Sequence, residues 1–285
     1  MKLCRYGAIG QEHPGLVDSD NRVRDLSAYV DDIGTQTLSP ESLARIASLP
    51  ISDMPVVSGE PRFGVPVAGV SKIIAIGLSY RDHADEVDMP IPTEPIIFLK
   101  AATCLSGPND NIVKPPHSTK LDCELELGVV IGSKAQYVDE VKALEYVAGY
   151  CIMNDVSERS FQFQSSQWDK GKGCDSFGPL GPWLVTKEEV PDPQGLDMWL
   201  EVNGKRRQTG NTEVMIFSIA QIVACCSRYM TLLPGDVICT GTPPGVGMGM
   251  KPEPVWLKMD DVVHLWIDGL GEQQQTVVAW PGRNF

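Results

Sequence analysis

The apolar and polar positions of this 285-residue chain predict strands more often than helices. Short strands are read at Lys2 to Tyr6 and Gly15 to Val17, followed by a turn at Asp20-Asn21. Ser39-Pro40-Glu41 reads as a helix start, with the serine capping and the proline at the first helical position. That helix runs through Leu43 to about Ser48. From Ser71 onward the apolar runs Lys72 to Leu78, Ile96 to Lys100, Glu124 to Ile131, Val237 to Thr240 and Val262 to Ile267 read as strands. Met198 to Val202 and Lys205 to Gln208 flank Asn203-Gly204, a type I′ hairpin signal. Val138, Val141, Leu144 and Val147 form a stripe at helical spacing that Gly149 terminates. Ser218 caps a second helix reaching about Met230, with Ile219, Ile222, Val223 and Cys226 on one face.

The βαβ alternation of a doubly wound sheet is missing, so the predicted class is mainly β with flanking helices, an α+β build. Residues 1–68 read as a small N-terminal α+β domain, joined by the Pro- and Gly-rich stretch from Pro55 to Val70 to a main domain over 69–285.

Composition adds 27 glycines and 22 prolines, which fit many turns. The formal charge of −13 argues against nucleic acid or an anionic membrane as partner. An anionic substrate stays open, because a local cation can reverse the field inside a site. The eight cysteines show no C-x-x-C spacing and mostly lie in apolar runs, which fits a reduced, cytoplasmic setting. The opening Met-Lys-Leu-Cys-Arg-Tyr-Gly lacks the apolar core of a signal peptide, and no apolar stretch approaches membrane-spanning length.

The chemistry starts at Cys123-Glu124-Leu125-Glu126-Leu127. In a strand, residues i and i+2 share a face, so Glu124 and Glu126 stand side by side. Such a pair is either the wet face of a half-solvated strand or a buried cluster neutralised by a cation. Asp155, at the end of Tyr150 to Asp155, either completes a cluster of hard oxygen ligands for Mg2+, Mn2+ or Ca2+ or caps the following turn. His83 and Glu86 are i and i+3, an exposed polar pair or a general base with its orienting carboxylate. Lys172 sits in the Gly-rich Lys170 to Asp175 loop, solvated or poised to hold a carboxylate or oxyanion. Thr242, in the Gly/Pro loop Thr240 to Gly247, belongs to a tight connection or presents its hydroxyl to an anion.

Taken in order, these segments resemble the fumarylacetoacetate hydrolase family over Ser71 to Val278. The matching stretches are Ile76 to Tyr80 with His83 and Glu86, Phe98 to Lys100, Glu124 to Leu127, Asn154 to Ser157 with Arg159 and Gln162, Lys172 to Pro179, and Gly241 to Pro243. The resemblance implies a β-roll-like catalytic domain, a homodimer or dimer of dimers, and one Mg2+ (or Mn2+ or Ca2+) per subunit. It implies metal ligation by Glu124, Glu126 and Asp155, water activation by a His83–Glu86 lid, and a catalytic Lys172. It further implies substrate contacts from Ser79, Arg159, Gln162 and Thr242. Ser79 departs from the family, which commonly has Asn there.

The full-length pattern, including Lys2 to Gly7 and Gly181 to Val185, is similar to a bacterial subgroup. Its members are described as 2,4-diketo-3-deoxy-L-rhamnonate hydrolases of L-rhamnose catabolism or as ureidoglycolate lyases. The implied activity is metal-dependent hydrolysis of a C–C bond in a small 2,4-diketo acid. Ureidoglycolate lyase activity, or decarboxylation, tautomerisation or isomerisation of a 2-oxo acid on the same scaffold, is the alternative. A non-catalytic metal- or ligand-binding protein is a third reading, which loss of the His/Glu pair or the loop lysine would have favoured.

Overall fold

A computed structural model describes residues 1–282; the last three positions of the 69–285 segment lie outside the described residues. The N-terminal part holds β1 (Lys2–Tyr6), β2 (His13–Val17), β3 (Val23–Asp25) and α1 (Pro40–Ala47). Next come β4 (Ile73–Gly77), α2 (Arg81–Glu86), β5 (Ile96–Lys100), β6 (Leu105–Ser106), β7 (Ile112–Lys114) and β8 (Leu121–Asp122). The centre of the chain is β9 (Leu125–Ile131), β10 (Val147–Asn154), β11 (Ser157–Glu158), α3 (Arg159–Gln162), α4 (Asp169–Lys172) and β12 (Gly178–Thr186). The remainder is β13 (Asp197–Val202), β14 (Lys205–Asn211), α5 (Ile219–Tyr229), β15 (Val237–Cys239), β16 (Val262–Ile267) and β17 (Gly271–Ala279).

The main sheet runs β3-β2-β1-β12-β10-β9-β15-β4-β5, with β6 paired to β12. A second sheet runs β14-β13-β16-β17-β7. Among the described residues, only β15–β4, β12–β6 and β17–β7 are parallel. The build is mainly β with few helices, as the sequence predicts. The 1–68 segment contributes β1 to β3 to one edge of the main sheet, where Lys2 and Leu3 of β1 pair with Val185 and Leu184 of β12. Its Leu3, Leu26 and Ile46 join the same apolar core as Val129 and Ile152.

Local signals account for several elements. The Ser39 side chain accepts the Ser42 amide with Pro40 following, and Ser218 and Gln221 form a reciprocal capping box on α5. Asn203 and Gly204 adopt φ of 52° and 71°, the left-handed pair that a type I′ hairpin requires. The central strand β9 is buried at all seven positions, flanked by β10 and β15.

One predicted helix is absent. Residues Glu140–Tyr146 form a 3-10 segment and Val147 already begins β10. Val138 and Val147 are buried, but Val141 is 96% exposed, Leu144 is also exposed and Ala143 is the buried residue of the turn, so the stripe is not one continuous core-facing surface. A three-residue spacing suits a 3-10 turn as well as an α-helix, so the stripe does not distinguish them. Gly149 does not end a helix; it sits inside β10, where a Cβ would run into the Val185 carbonyl of β12. Its lack of a side chain permits close strand approach.

Candidate active site

Strand register builds the acidic cluster. In the antiparallel β9–β10 pair, Glu126 lies opposite Met153 and Leu125 opposite Asn154. One step further, the Asp155 amide donates to the Glu124 carbonyl at 2.8 Å. Glu124 and Asp155 therefore meet at the ends of neighbouring strands, and Glu126 joins them by the i, i+2 rule. Ligand oxygens of the three lie within 4.8 Å of one another, and all three residues are buried. The half-solvated strand is excluded by that burial.

Cationic side chains surround the cluster unevenly. Lys172 Nζ donates to Glu124 Oε2 at 2.5 Å and Asp155 Oδ2 at 2.7 Å. Arg159 donates to Glu124 Oε1 at 2.5 Å and to Asp122 Oδ2. Lys100 Nζ donates to Asp155 Oδ1 at 2.6 Å and also to the Lys172 carbonyl. Glu126, by contrast, has the Gly241 amide at 2.8 Å as its hydrogen-bond donor among the described residues. Burial alone would raise the Glu124 carboxyl, but Arg159 and Lys172 outweigh it and hold it well below the usual carboxylate range. Burial, reinforced by the Asp155 and Glu124 charges, pushes Glu126 well above that range. The Asp155 charge overcomes burial at Lys100 and raises its ammonium.

These groups floor a cavity of about 250 Å³. Its lining includes Glu124, Glu126, Asp155, Arg159, Gln162, Lys172, Thr242 and His83, together with apolar side chains such as Phe98 and Trp168. His83 and Glu86 lie on α2, with His83 Nδ1 3.0 Å from Glu86 Oε2. The other Glu86 oxygen accepts the Gly245 amide at 2.8 Å. If Glu86 is ionised, Nδ1 carries the proton and Nε2 is left as acceptor.

The remaining candidates differ in position. Gln162 lines the cavity while its Oε1 accepts from Arg159 Nη1 at 3.0 Å. Thr242 Oγ1 donates to the Leu125 carbonyl and accepts from Gln208 Nε2. Ser79 is not among the lining residues; its buried hydroxyl has no hydrogen-bond partner among the described residues and lies against Gly241. Sequence reasoning passed over Lys100 and Asp122. The signal for Lys100 is a lysine closing an apolar strand, and it is fully buried on Asp155. Asp122 orients Arg159 and accepts the Gly247 and Met248 amides, a role fixed by contacts distant in sequence. The aromatic wall of Phe98, Phe163 and Trp168 was equally invisible.

A mainly β scaffold with a buried oxygen-ligand cluster beside a His–carboxylate pair defines a class of enzyme site rather than a structural core. The sequence pattern described as Fumarylacetoacetate (FAA) hydrolase C-terminal matches residues 72–278. A curated relative from Burkholderia multivorans, named as an unconfirmed hydrolase with no substrate, is 59% identical over 280 residues, covering 98% of this chain and 99% of its own. Fumarylacetoacetate hydrolase from the psychrophile Exiguobacterium antarcticum is 33% identical with a TM-score of 0.86, over 98% of this chain and 100% of that one. Maleylpyruvate hydrolase from Sphingobium sp. SYK-6, solved with manganese(II) and pyruvate, is 30% identical with a TM-score of 0.82, over 98% and 99%. This chain belongs to the fumarylacetoacetate hydrolase family.

Proposed function

We propose that this chain is a divalent-metal-dependent hydrolase that cleaves the C3–C4 bond of a small 2,4-diketo acid. The full-length resemblance favours 2,4-diketo-3-deoxy-L-rhamnonate, giving pyruvate and lactate. The observation that carries the reading is the convergence on one cavity of three buried carboxylates and His83, which Glu86 contacts from behind.

The donor set fits a hard cation. Four buried carboxylates (Asp122, Glu124, Glu126, Asp155) face three cationic side chains (Lys100, Arg159, Lys172), which leaves one carboxylate without a cation. Glu126 is the carboxylate without an ion-pair partner among the described residues. Glu124, Glu126 and Asp155 would hold the ion, and Mg2+ is the one proposed, with Mn2+ or Ca2+ as other oxygen-seeking choices. When bound, it supplies positive charge to the substrate's 1-carboxylate and 2-oxo oxygens.

The chain's own residues do the rest. His83, its tautomer fixed by Glu86, takes a proton from water. The water oxygen forms a bond to C4, and the C3–C4 bond breaks with its electron pair passing to the pyruvate enolate. The proton held by His83 returns to C3 and completes pyruvate, so His83 is restored, one water is consumed and two organic acids leave. Lys172, at the floor of the cavity, stabilises the enolate where charge develops.

The test is purified protein with Mg2+ and a panel of 2,4-diketo acids, with products identified by mass. Two organic acids are expected. Release of CO2, or a single product of unchanged mass, would move the chain to a decarboxylase or an isomerase.

A further inference from the structure

We propose that the mouth of this cavity selects a diketo acid whose acyl end carries no charge and terminates in an apolar group such as a methyl, and excludes one that ends in a second carboxylate. This rests on the diketo-acid reading and narrows its substrate class.

The polarity of the cavity is divided. The lining residues with carboxylates and cations are buried, whereas Phe163 is 57% and Met89 is 47% exposed, which puts the apolar pair at the opening. Between floor and mouth stand Phe98 and Trp168, edge to face with ring centroids 5.2 Å apart. Trp168 also lies against Gly77, whose missing side chain leaves room for the indole. The indole is thus wedged between β4 and the Phe98 ring of β5. An acyl chain extending from C4 away from the carboxylate cluster meets these rings.

No cation is left for a second carboxylate among the described lining residues. His83, Arg159 and Lys172 are the lining side chains able to carry positive charge. Arg159 is shared among Asp122, Glu124 and Gln162, Lys172 bridges Glu124 and Asp155 with its remaining N–H given to the enolate at the other end of the substrate, and His83 faces Glu86. A carboxylate held against Phe98 and Trp168, inside the exposed rim of Phe163 and Met89, would lose water and gain no partner, the costly case for a buried charge. A methyl or methylene gains apolar contact there.

The experiment compares 2,4-dioxopentanoate, 2,4-dioxoheptanoate and 2,4-dioxoheptanedioate on the Mg2+-loaded enzyme. Each added methylene should raise kcat/KM by about fourfold. Replacing the terminal methyl by carboxylate should lower it by about 100-fold. Trp168→Ala should collapse the preference for the longer monoacid. Phe163→Arg, at an exposed position, should narrow the monoacid-to-diacid gap by about tenfold or more by giving the second carboxylate a partner. Equilibrium binding of the uncleavable 2-oxoheptanoate and 2-oxoheptanedioate should show the same order. Equal or better turnover of the diacid, or tighter binding of its analogue, overturns the inference while leaving the hydrolase reading intact. Absence of turnover on all three overturns the hydrolase reading, and the binding pair then still decides the selectivity.

Discussion

The Glu86 carboxylate accepts the Gly245 amide at 2.8 Å, which ties the α2 segment to the Gly/Pro loop 159 residues later. Its second oxygen faces His83 Nδ1, so one side chain both anchors that segment and orients the imidazole. The loop leaves space for this: a Cβ on Gly249 would overlap the Glu86 carboxyl group. Gly249→Ala should displace Glu86 and lower kcat by about 10- to 100-fold, part of what a positioned base contributes. Metal affinity, measured by titration calorimetry, should not change. A wild-type kcat would show that Glu86 does not depend on this cradle.

Glu86→Gln keeps the shape of the side chain and removes its charge. Turnover should fall by about 100-fold or more, because the imidazole loses the carboxylate that fixes its tautomer and orientation. The metal should still bind, since Glu86 is not among the three converging carboxylates. Unchanged turnover would remove the pair from the mechanism.

Lys100 is the buried partner of Asp155, and sequence reasoning did not assign it a role. Lys100→Met leaves Asp155 with Lys172 alone and should cost about 3–5 kcal/mol, the usual result of breaking a buried pair from one side. Denaturant unfolding without metal reads that loss. Saturating Mg2+ or Mn2+ should recover part of it, because an ion supplies positive charge at the same carboxylate.

What the chain reveals on reading, and what it hides, follows from the range of the interactions. Ser39-Pro40, Ser218 with Gln221, and Asn203-Gly204 act on atoms a few residues away, and each element appears where its signal places it. The acidic trio is legible for a related reason, since i, i+2 in a strand fixes Glu124 and Glu126 and only Asp155 needs the β9–β10 register. The Val138 to Val147 stripe fails because spacing by three residues does not specify an α-helix, and the neighbouring strand pairing claims Val147. Ser79 is not a lining residue and packs on Gly241, a long-range contact with no local trace. Lys100, Asp122 and Trp168 escape notice similarly, since their partners lie 55, 37 and 70 positions away or on other strands.

Burial also governs the thiols. It pushes Cys151 and Cys226 up to about 12 and Cys104 up to about 11. A raised pKa favours the neutral thiol, so at pH 8 little of the reactive thiolate is present. Iodoacetamide should therefore leave these three unlabelled in the native protein and alkylate them in denaturant, as peptide mass mapping reads. Rapid labelling of Cys151 or Cys104 under native conditions would contradict their packing.

The account depends most on Glu124, Glu126 and Asp155 gripping a divalent ion. Calorimetric titration of chelator-treated protein with Mn2+ measures this directly. One ion per chain is expected, with binding lost or weakened by at least about 100-fold in Glu126→Gln, where the carboxylate lacking an ion-pair partner is neutralised. No binding, or Glu126→Gln binding as tightly as the unaltered chain, would contradict the account.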